Sequence, residues 1–280
     1  MTDADLIVAR GLEVAYGGRR RLNGKRIGAV KVLHGVDIRI GRGETVGIVG
    51  ESGSGKTTLG RALLRLIDFD AGAIVFDGQD ISHLPEPRMR PFRRRMQMIF
   101  QDPAASLNPR HSVRRIVVEP LLLHGVARDR SDAERRVRQF FDHVALPLSC
   151  LDRWPHELSG GQRQRVGIAR AALLEPDFVL ADEIVSGLDV STQAQTLNLL
   201  KTLTRDLGLA MAFISHDLSV IRAVCDRVYV MREGKVVEEG RCEDVFAAAK
   251  SRYTQLLIDA IPLPEIDPGW LDRDVAPEVR

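Results

Sequence analysis

A glycine-rich segment at positions 50–58 carries the clearest chemical signal in the sequence. It reads Gly50-Glu51-Ser52-Gly53-Ser54-Gly55-Lys56-Thr57-Thr58 and fits G-x-x-x-x-G-K-[ST], the spacing of a loop that cradles nucleotide phosphates. Glycines let backbone N–H groups turn toward phosphate oxygens, and a helix N-terminus adds partial positive charge. The ammonium of Lys56 would reach the β- and γ-phosphates, and the hydroxyl of Thr57 would ligate Mg²⁺. The segment therefore predicts binding of a nucleoside triphosphate with Mg²⁺.

Two adjacent acids, Asp182 and Glu183, follow the apolar run at 178–181. A carboxylate at the end of a strand beside the phosphate loop would complete the Mg²⁺ shell, and Asp182 has that place. Glu183, one residue further on, is placed to orient and polarise an attacking water. An apolar run followed by two acids is a weak signal by itself, and the phosphate loop upstream strengthens it. The pair predicts transfer of a phosphoryl group to water.

The elements that must position these residues follow from the apolar patterns. Thr45–Val49 is an apolar run typical of a strand buried on both faces, and Lys56–Ile67 has the apolar spacing of a helix. Strand, glycine loop and helix together predict the start of a parallel α/β sheet. The same patterns predict further strands at Leu6–Val14, Val30–Ile40, Phe178–Ala181 and Met211–Ile214, a polar loop at Gly17–Gly28, a helix at Thr192–Leu207, and a hairpin at Arg227–Met231 and Lys235–Glu239.

The chain changes character between about Pro103 and Pro155, where helical patterns replace strands. Pro120–Leu123 and Ser131–Val144 read as helices, and Ser131 with Glu134 three residues later has the spacing of a capping box. This stretch predicts a helical subdomain inserted in the sheet domain. After Ala247 come a short predicted helix, Tyr253–Ala260, and a proline-rich acidic tail.

Composition limits the classes of protein that fit. The formal net charge is only +2, from 40 basic and 38 acidic side chains, and this disfavours a nucleic-acid binder. The clusters Arg19–Arg21 and Arg93–Arg95 could contact anions or form a solvated face, and we favour the solvated face. Three widely spaced cysteines suit a reducing compartment and predict packing roles. We expect neither a signal peptide nor a membrane-spanning helix.

A second motif identifies the family. The run Leu158-Ser159-Gly160-Gly161-Gln162-Arg163-Gln164-Arg165 resembles the signature motif of ATP-binding cassette (ABC) proteins, which ordinary P-loop kinases and GTPases lack. Other segments resemble the remaining family motifs in the expected order: Gln101 the Q-loop glutamine, Ser186–Asp189 the D-loop, His216 the switch histidine, and Tyr16 the aromatic residue that stacks on adenine. The resemblance covers the chain up to about residue 245.

The resemblance implies roles for individual residues. The implied ligands are ATP and Mg²⁺, with Thr57, Gln101 and Asp182 at the metal and Glu183, His216 and Gln101 in hydrolysis. Tyr16 and residues Gly50, Glu51, Ser52, Gly53, Ser54, Gly55, Lys56, Thr57 and Thr58 would bind ATP. A second subunit's ATP would meet this chain's Ser159, Gly160, Gly161, Gln162 and Asp189. The sequence departs from the family at Ile184-Val185, where many relatives carry Pro-Thr, and at Gly187, where alanine is common.

The fold that the resemblance implies is α/β: a RecA-like P-loop nucleoside triphosphatase core sheet, with an inserted α-helical subdomain and an antiparallel N-terminal β part. We expect residues 1–101 and 166–246 to form the ATP-binding core with its antiparallel part. Residues 102–165 would form the helical signature subdomain, and residues 247–280 a short C-terminal extension of the peptide-importer type.

Three segments resemble the dipeptide, oligopeptide and nickel importer branch of the family: Gln101–Arg110, Asp189–Gln195, and Tyr253–Leu257 with the proline-rich segment that follows. Ser251-Arg252 replaces the His-Pro that is frequent before that tyrosine. The long Gly17–Gly28 loop, and the lack of a cysteine cluster near the end of the sequence, resemble the second, "F"-type ATPase of these importers. Import of peptides is the favoured role. Nickel, glutathione, opines or oligosaccharides remain open as cargo.

The resemblance also implies partners and a location. We expect a second ABC ATPase subunit, identical or different, two transmembrane permease subunits and an external substrate-binding protein. The chain would then sit peripherally on the cytoplasmic face of the bacterial inner membrane, without contacting nucleic acid.

Three rival roles carry discriminating features. A DNA-repair or chromosome ATPase would have a coiled-coil or zinc-bearing insertion, yet no heptads or C-x-x-C pairs separate Lys56 from Asp182. A ribosome-acting cassette protein would normally fuse two cassettes, and an exporter subunit would lack the importer-type Q-loop and tail. These features favour the importer.

Overall fold

The computed structural model describes residues 5–20 and 26–261. These residues form two sheets. The first is antiparallel and contains strands β1 (Asp5–Arg20), β2 (Arg26–Gly41), β4 (Ala71–Phe76) and β5 (Gln79–Asp80), in the order β2-β1-β4-β5. The second has the order β10-β9-β3-β8-β7-β6, with β3 (Thr45–Val49), β6 (Met96–Ile99), β7 (Phe178–Asp182), β8 (Ala210–Ile214), β9 (Arg227–Arg232) and β10 (Lys235–Arg241).

The second sheet is parallel in its centre, as the apolar runs predict. β3 pairs in parallel with both β8 and β9, and β7 pairs in parallel with β6 and β8. Every residue of β3, β7 and β8 is buried. In β7, Phe178 and Leu180 enter one apolar cluster while Val179 and Ala181 enter the other, so both faces of the strand are covered. Coverage on both faces explains the continuous apolar sequence.

Helices follow the strands and fill the inserted region. They are α1 (Lys56–Leu63), α2 (Glu86–Arg95), α3 (Pro103–Ser106), α4 (Val113–Leu123), α5 (Arg130–His143), α6 (Gly160–Ala172), α7 (Val190–Leu207), α8 (Leu218–Val224), α9 (Cys242–Ala247) and α10 (Arg252–Asp259). Short 3₁₀ turns at Leu148–Asp152 and Pro155–Glu157 lead into α6. Together these elements give the predicted α/β fold with its antiparallel N-terminal sheet, and α10 confirms the short helix predicted after Ala247.

The predicted capping box at the start of α5 is wrong. The helix begins one residue earlier than Ser131, and its cap is Asp129, whose carboxylate accepts a hydrogen bond from the backbone N–H of Asp132 at 2.9 Å. A charged carboxylate accepts this bond more strongly than a hydroxyl and also complements the helix dipole. Glu134 pairs with Arg114 instead, at 3.4 Å.

The predicted polar loop at Gly17–Gly28 is too long. β1 and β2 remain paired as far as Arg20 opposite Arg26, and positions 21–25 lie outside the described residues. Pairing of antiparallel strands uses backbone groups, so an exposed ribbon continues where the apolar pattern stops. The predicted helix Lys56–Ile67 likewise ends earlier, at Leu63.

The arginine cluster at 93–95 is neither a free anion site nor a solvated face. Arg93 donates to the carbonyl oxygens of Leu64 and Arg65, at 2.6 and 3.0 Å. Arg94 donates to the carbonyl oxygen of Leu174, just after α6, and Arg95 binds Asp77 and Asp177. The three guanidinium groups therefore join α2 to neighbouring turns. The side chains of the other cluster, at 19–21, lie outside the described part of the chain.

The three cysteines, Cys150, Cys225 and Cys242, are buried and unbonded to one another, as their predicted packing roles require. Within residues 5–20 and 26–261, no helix has the length and apolar character needed to cross a bilayer. The predicted acidic tail, from Pro262 onward, lies outside the described residues.

Two glycines inside helices should respond in opposite ways to an added methyl group. At Gly60 on α1, a Cβ would lie 2.8 Å from a methyl of Leu180 and 3.0 Å from a methyl of Ile214. We expect Gly60→Ala to lower the free energy of unfolding by about 1–3 kcal/mol through overpacking. At Gly167 on α6 a Cβ meets nothing within 4 Å, so Gly167→Ala should raise it by about 0.5–1 kcal/mol. Urea unfolding of the two variants measures both values, and equal effects would contradict the close approach of α1 to the sheet.

Candidate nucleotide site

The loop at 50–55 connects β3 to α1 and is pressed against the turn between β9 and β10. Gly50 has φ 146°, and a Cβ there would lie 2.1 Å from the carbonyl oxygen of Met231. The backbone N–H of Gly234 donates to the carbonyl of Ser54 at 3.0 Å. Only glycine fits at position 50, because both the dihedral angle and the close backbone contact exclude a side chain. The neighbouring hairpin therefore fixes the path of the loop.

Lys56, the first residue of α1, folds back over the loop. Its ammonium donates to the carbonyl oxygens of Gly50 and Glu51, each at 2.7 Å, and the side chain is buried. Burial lowers the pKa of Lys56, and the nearby Glu183, Asp182 and Glu51 carboxylates only partly oppose that effect. Phosphate oxygens carry charge and accept bonds from an ammonium more strongly than carbonyls do. The loop and Lys56 therefore fit a phosphate chain.

Thr57 and Asp182 meet at the end of β7. The hydroxyl of Thr57 donates to a carboxylate oxygen of Asp182 at 3.1 Å, and Asp182 is 3% exposed. Burial raises the pKa of Asp182, although the bond from Thr57 and the charge of Arg61 act to lower it. Hydroxyl and carboxylate oxygens are ligands that Mg²⁺ prefers, and Mg²⁺ takes its other ligands from phosphate and water. The pair fits the predicted metal.

Side chains from two other chain segments converge on the carboxylate of Glu183. Gln101 donates its amide N–H to one carboxylate oxygen at 2.9 Å, and His216 Nδ1 lies 3.7 Å from the other. The residues follow the carboxyl ends of β6, β7 and β8, which lie side by side in the sheet. Glu183 itself has φ 48°, and its backbone N–H donates to the carbonyl of Ile214 at 3.0 Å. The three side chains predicted for hydrolysis therefore share one place.

Tyr16 lies at the far end of the phosphate loop. Its hydroxyl is 3.4 Å from the hydroxyl of Thr58, and the side chain is 44% exposed. An aromatic face open to solvent beside the loop can take a stacked base. The fold therefore brings Tyr16 close to the phosphate loop, although Tyr16 and Thr58 are 42 positions apart in the sequence.

The signature residues occupy a different surface. Ser159 caps α6: its hydroxyl accepts from the backbone N–H of Gln162 at 3.2 Å, and the side chain of Gln162 accepts from the backbone N–H of Ser159 at 3.0 Å. Asp189 caps α7 by accepting from the N–H and hydroxyl of Thr192. The start of α6 and the segment before α7 line one cavity, whose walls include Ser159, Gly160, Gly161, Gln162, Gly187 and Asp189. The described lining of this cavity includes none of residues 50–58.

Two further residues at the site were not found from the sequence. Arg61 lies one turn after Thr57 on α1, and its charge partly opposes the rise in the pKa of Asp182, so helical spacing alone could have indicated it. Tyr253 on α10 accepts a hydrogen bond from the backbone N–H of Glu51 at 3.1 Å. It is separated by 202 positions from that partner, and no local pattern signals such a contact.

A buried strand, a glycine loop that begins a helix, and an aspartate at the end of another parallel strand of the same sheet define a P-loop nucleoside triphosphatase. The family model described as ABC transporter matches residues 33–186. The chain belongs to the ABC transporter family.

Curated relatives cover most of the chain. A Brucella ovis protein, provisionally named a peptide import ATP-binding protein, is 50% identical over 269 residues, which span 95% of this chain and 82% of the relative. The oligopeptide transport ATP-binding protein OppF of Streptococcus mutans is 48% identical over 236 residues, or 84% of this chain and 77% of the relative.

Solved structures agree in fold. The dimeric post-hydrolysis state of the ATP-binding cassette MJ0796, bound to ADP and phosphate, has a TM-score of 0.74 and 27% identity. The match covers 84% of this chain and 98% of that one. Family and neighbours make this chain an ATP-hydrolysing cassette that uses ATP with Mg²⁺.

The raised pKa of Asp182 predicts a pH-dependent stability in the absence of nucleotide. The folded state binds this proton more tightly than the unfolded state, whose aspartate titrates near 3.8. The stabilising contribution of the protonated group is therefore full at low pH and is lost as pH rises through the raised pKa. Asp182→Asn should melt at a higher temperature than the unchanged protein at pH 7, with a smaller difference at pH 4.

Asp142→Asn, on the exposed face of α5, controls for the loss of one carboxylate. A melting temperature for Asp182→Asn that is lower than that of the unchanged protein at pH 7 would contradict the cost of burying this charge.

Proposed function

We propose that this chain powers the import of peptides as the ATPase subunit of an ABC importer. The observation that carries the ATPase part is the convergence of Gln101 and His216 on Glu183, directly after the Asp182–Thr57 pair. Peptide import is supported by the names of two relatives, the oligopeptide transport ATP-binding proteins of Streptococcus mutans and Streptococcus pneumoniae. The second is 46% identical over 93% of this chain.

In the proposed reaction, Glu183 is the residue that orients and polarises the attacking water. Gln101 donates a hydrogen bond to one carboxylate oxygen of Glu183, and the other carboxylate oxygen faces His216. Lys56 would bind the phosphate chain, and Thr57, Asp182 and Gln101 would hold Mg²⁺. The metal would neutralise charge on the phosphates. His216 is 63% exposed, so it is free to contact a γ-phosphate.

A second ATPase subunit completes the proposed site. The signature surface defined by Ser159 and Asp189 is separate from the phosphate loop of its own chain, so it can meet a nucleotide held by a neighbour. The solved neighbour MJ0796 is dimeric and bound to ADP and phosphate, which supports this arrangement. The γ-phosphate would be shared by both subunits, and hydrolysis would release the closed state.

The remaining partners are proposed to be two transmembrane permease subunits and an external binding protein, which would place the chain on the cytoplasmic face of the membrane. A cavity of about 690 Å³ lies beside Gln101 and is lined from both the sheet and the inserted helices. Leu66 and Phe100 are exposed at its wall. An apolar segment of a permease subunit could bind there. The domain limits at 101/102, 165/166 and 246/247 remain predictions.

Replacing the proposed water-orienting carboxylate tests the reaction directly. Glu183→Gln keeps the side-chain shape but removes its charge, so it should lower the rate of ATP hydrolysis about 10²–10⁴-fold while ATP binding is retained. Glu175→Gln is a matched control, because Glu175 has a similar φ of 52° and pairs with Arg136 at 3.1 Å. Phosphate-release and equilibrium-binding measurements check both. Near-normal hydrolysis by Glu183→Gln would remove the assigned role.

Cargo is tested by uptake into vesicles that contain the complete transporter and its external binding protein. We expect ATP-dependent accumulation of labelled dipeptides or oligopeptides, and none with the Glu183→Gln chain. Accumulation of nickel chelates, glutathione, opines or oligosaccharides, with no peptide uptake, would favour the alternative cargoes and overturn peptide import.

A further inference from the structure

The peptide group between Gly50 and Glu51 is held at both ends. Its carbonyl oxygen accepts a hydrogen bond from the ammonium of Lys56 at 2.7 Å. Its N–H donates to the phenol oxygen of Tyr253 at 3.1 Å. Hydrogen bonds on the two ends of one peptide group polarise it in the same sense and strengthen each other. The orientation of Lys56 therefore depends in part on a residue of α10.

Tyr253 is itself fixed in place. It is 8% exposed, and the guanidinium of Arg232 lies 5.1 Å from the centre of its ring. Arg232 belongs to the same hairpin that contacts Gly50 through Met231. Burial raises the pKa of Tyr253, although the bond from Glu51 acts to lower it. The phenol therefore stays neutral at physiological pH.

The start of α10 is anchored to β10 by Glu238. The two carboxylate oxygens accept from the backbone N–H groups of Lys250 and Ser251, at 2.7 and 3.0 Å. Burial acts to raise the pKa of Glu238, but the hydrogen bonds at the start of α10 outweigh it, so the pKa is lowered. The carboxylate is thus ionised at neutral pH and holds the helix on the sheet. α10 is therefore fixed to β10 at its start and contacts the phosphate loop through Tyr253.

We propose that Tyr253 is a positioning residue of the nucleotide site, which orients Lys56 toward the phosphates through the peptide group of Gly50 and Glu51. The C-terminal extension thereby sets the affinity of the phosphate loop. This inference rests on the ATP-binding part of the proposed function and does not depend on which cargo is transported. Tyr253 lies on the far side of the peptide group from Lys56, so its effect falls on binding rather than on the hydrolytic step.

The test compares two tyrosine hydroxyls. Tyr253→Phe removes the bond to Glu51 and keeps the ring under Arg232. Tyr229→Phe is the matched control, because the hydroxyl of Tyr229 likewise accepts from a backbone N–H, that of Arg39 at 3.1 Å, and Arg227 lies 5.3 Å from its ring centre. Tyr229 is on β9 and 1% exposed. Melting temperatures of both variants report any general loss of stability.

We expect Tyr253→Phe to raise the Kd and KM for MgATP about 3–10-fold, the range for loss of one hydrogen bond, with kcat at saturating ATP within about twofold. Tyr229→Phe should leave Kd and KM unchanged. An unchanged Kd for Tyr253→Phe, or an equal loss of affinity in both variants, would overturn the proposal. Failure of peptide uptake with normal ATP binding would instead count against the proposed cargo and leave the Kd comparison valid.

Discussion

The buried ammonium of Lys56 is the charge around which the nucleotide site is built. Its hydrogen bonds go to two backbone carbonyl oxygens, and the loop that supplies them is confined by the hairpin of β9 and β10. Burial of a charge is unfavourable unless strong acceptors surround it. Neutral carbonyls compensate the charge only partly, and three nearby carboxylates add long-range attraction. The site lies at the carboxyl ends of the parallel strands β3, β6, β7 and β8. An anionic ligand there would compensate the charge of Lys56 more fully than the carbonyls do.

Much of this site could be predicted from local sequence. The strands β3, β7 and β8 are buried on both faces, so their apolar runs are continuous and unmistakable. The residues at and just after their carboxyl ends, including Asp182, Glu183 and His216, are then placed at one end of the sheet by topology alone. Capping of α5 by Asp129 was missed because two candidate caps lie close together and their competition is decided by charge. The extent of the β1–β2 hairpin was missed because backbone pairing leaves no side-chain pattern.

Long-range polar contacts are what the sequence did not reveal. Arg93, Arg94 and Arg95 read as an exposed cationic cluster, yet each reaches a carbonyl or carboxylate in a turn outside α2. The contact of Tyr253 with Glu51 is of the same kind. Such pairs form only when the fold brings together elements that are far apart in the sequence. The residues around either partner show no local pattern that predicts the contact.

The departure at Ile184-Val185 has a simple physical account. Both side chains are buried, 2% and 5% exposed, and pack in the larger apolar cluster. The backbone N–H of Ser186 donates to the carbonyl of Glu183 at 3.1 Å, and that of Leu188 to Val185 at 3.3 Å. Aliphatic packing and a turn therefore hold the segment after Glu183 without the rigidity of a proline ring.

The reciprocal bonds between Ser159 and Gln162 have a consequence for the speed of assembly. These capping bonds already fix the first turn of α6, so the positive end of the helix dipole has its final orientation before a ligand binds. A docking anion would meet a rigid receptor and would lose little conformational entropy in ordering it. Repeated binding and release of a nucleotide held by a second subunit would then proceed without melting and re-forming this helical turn at each cycle.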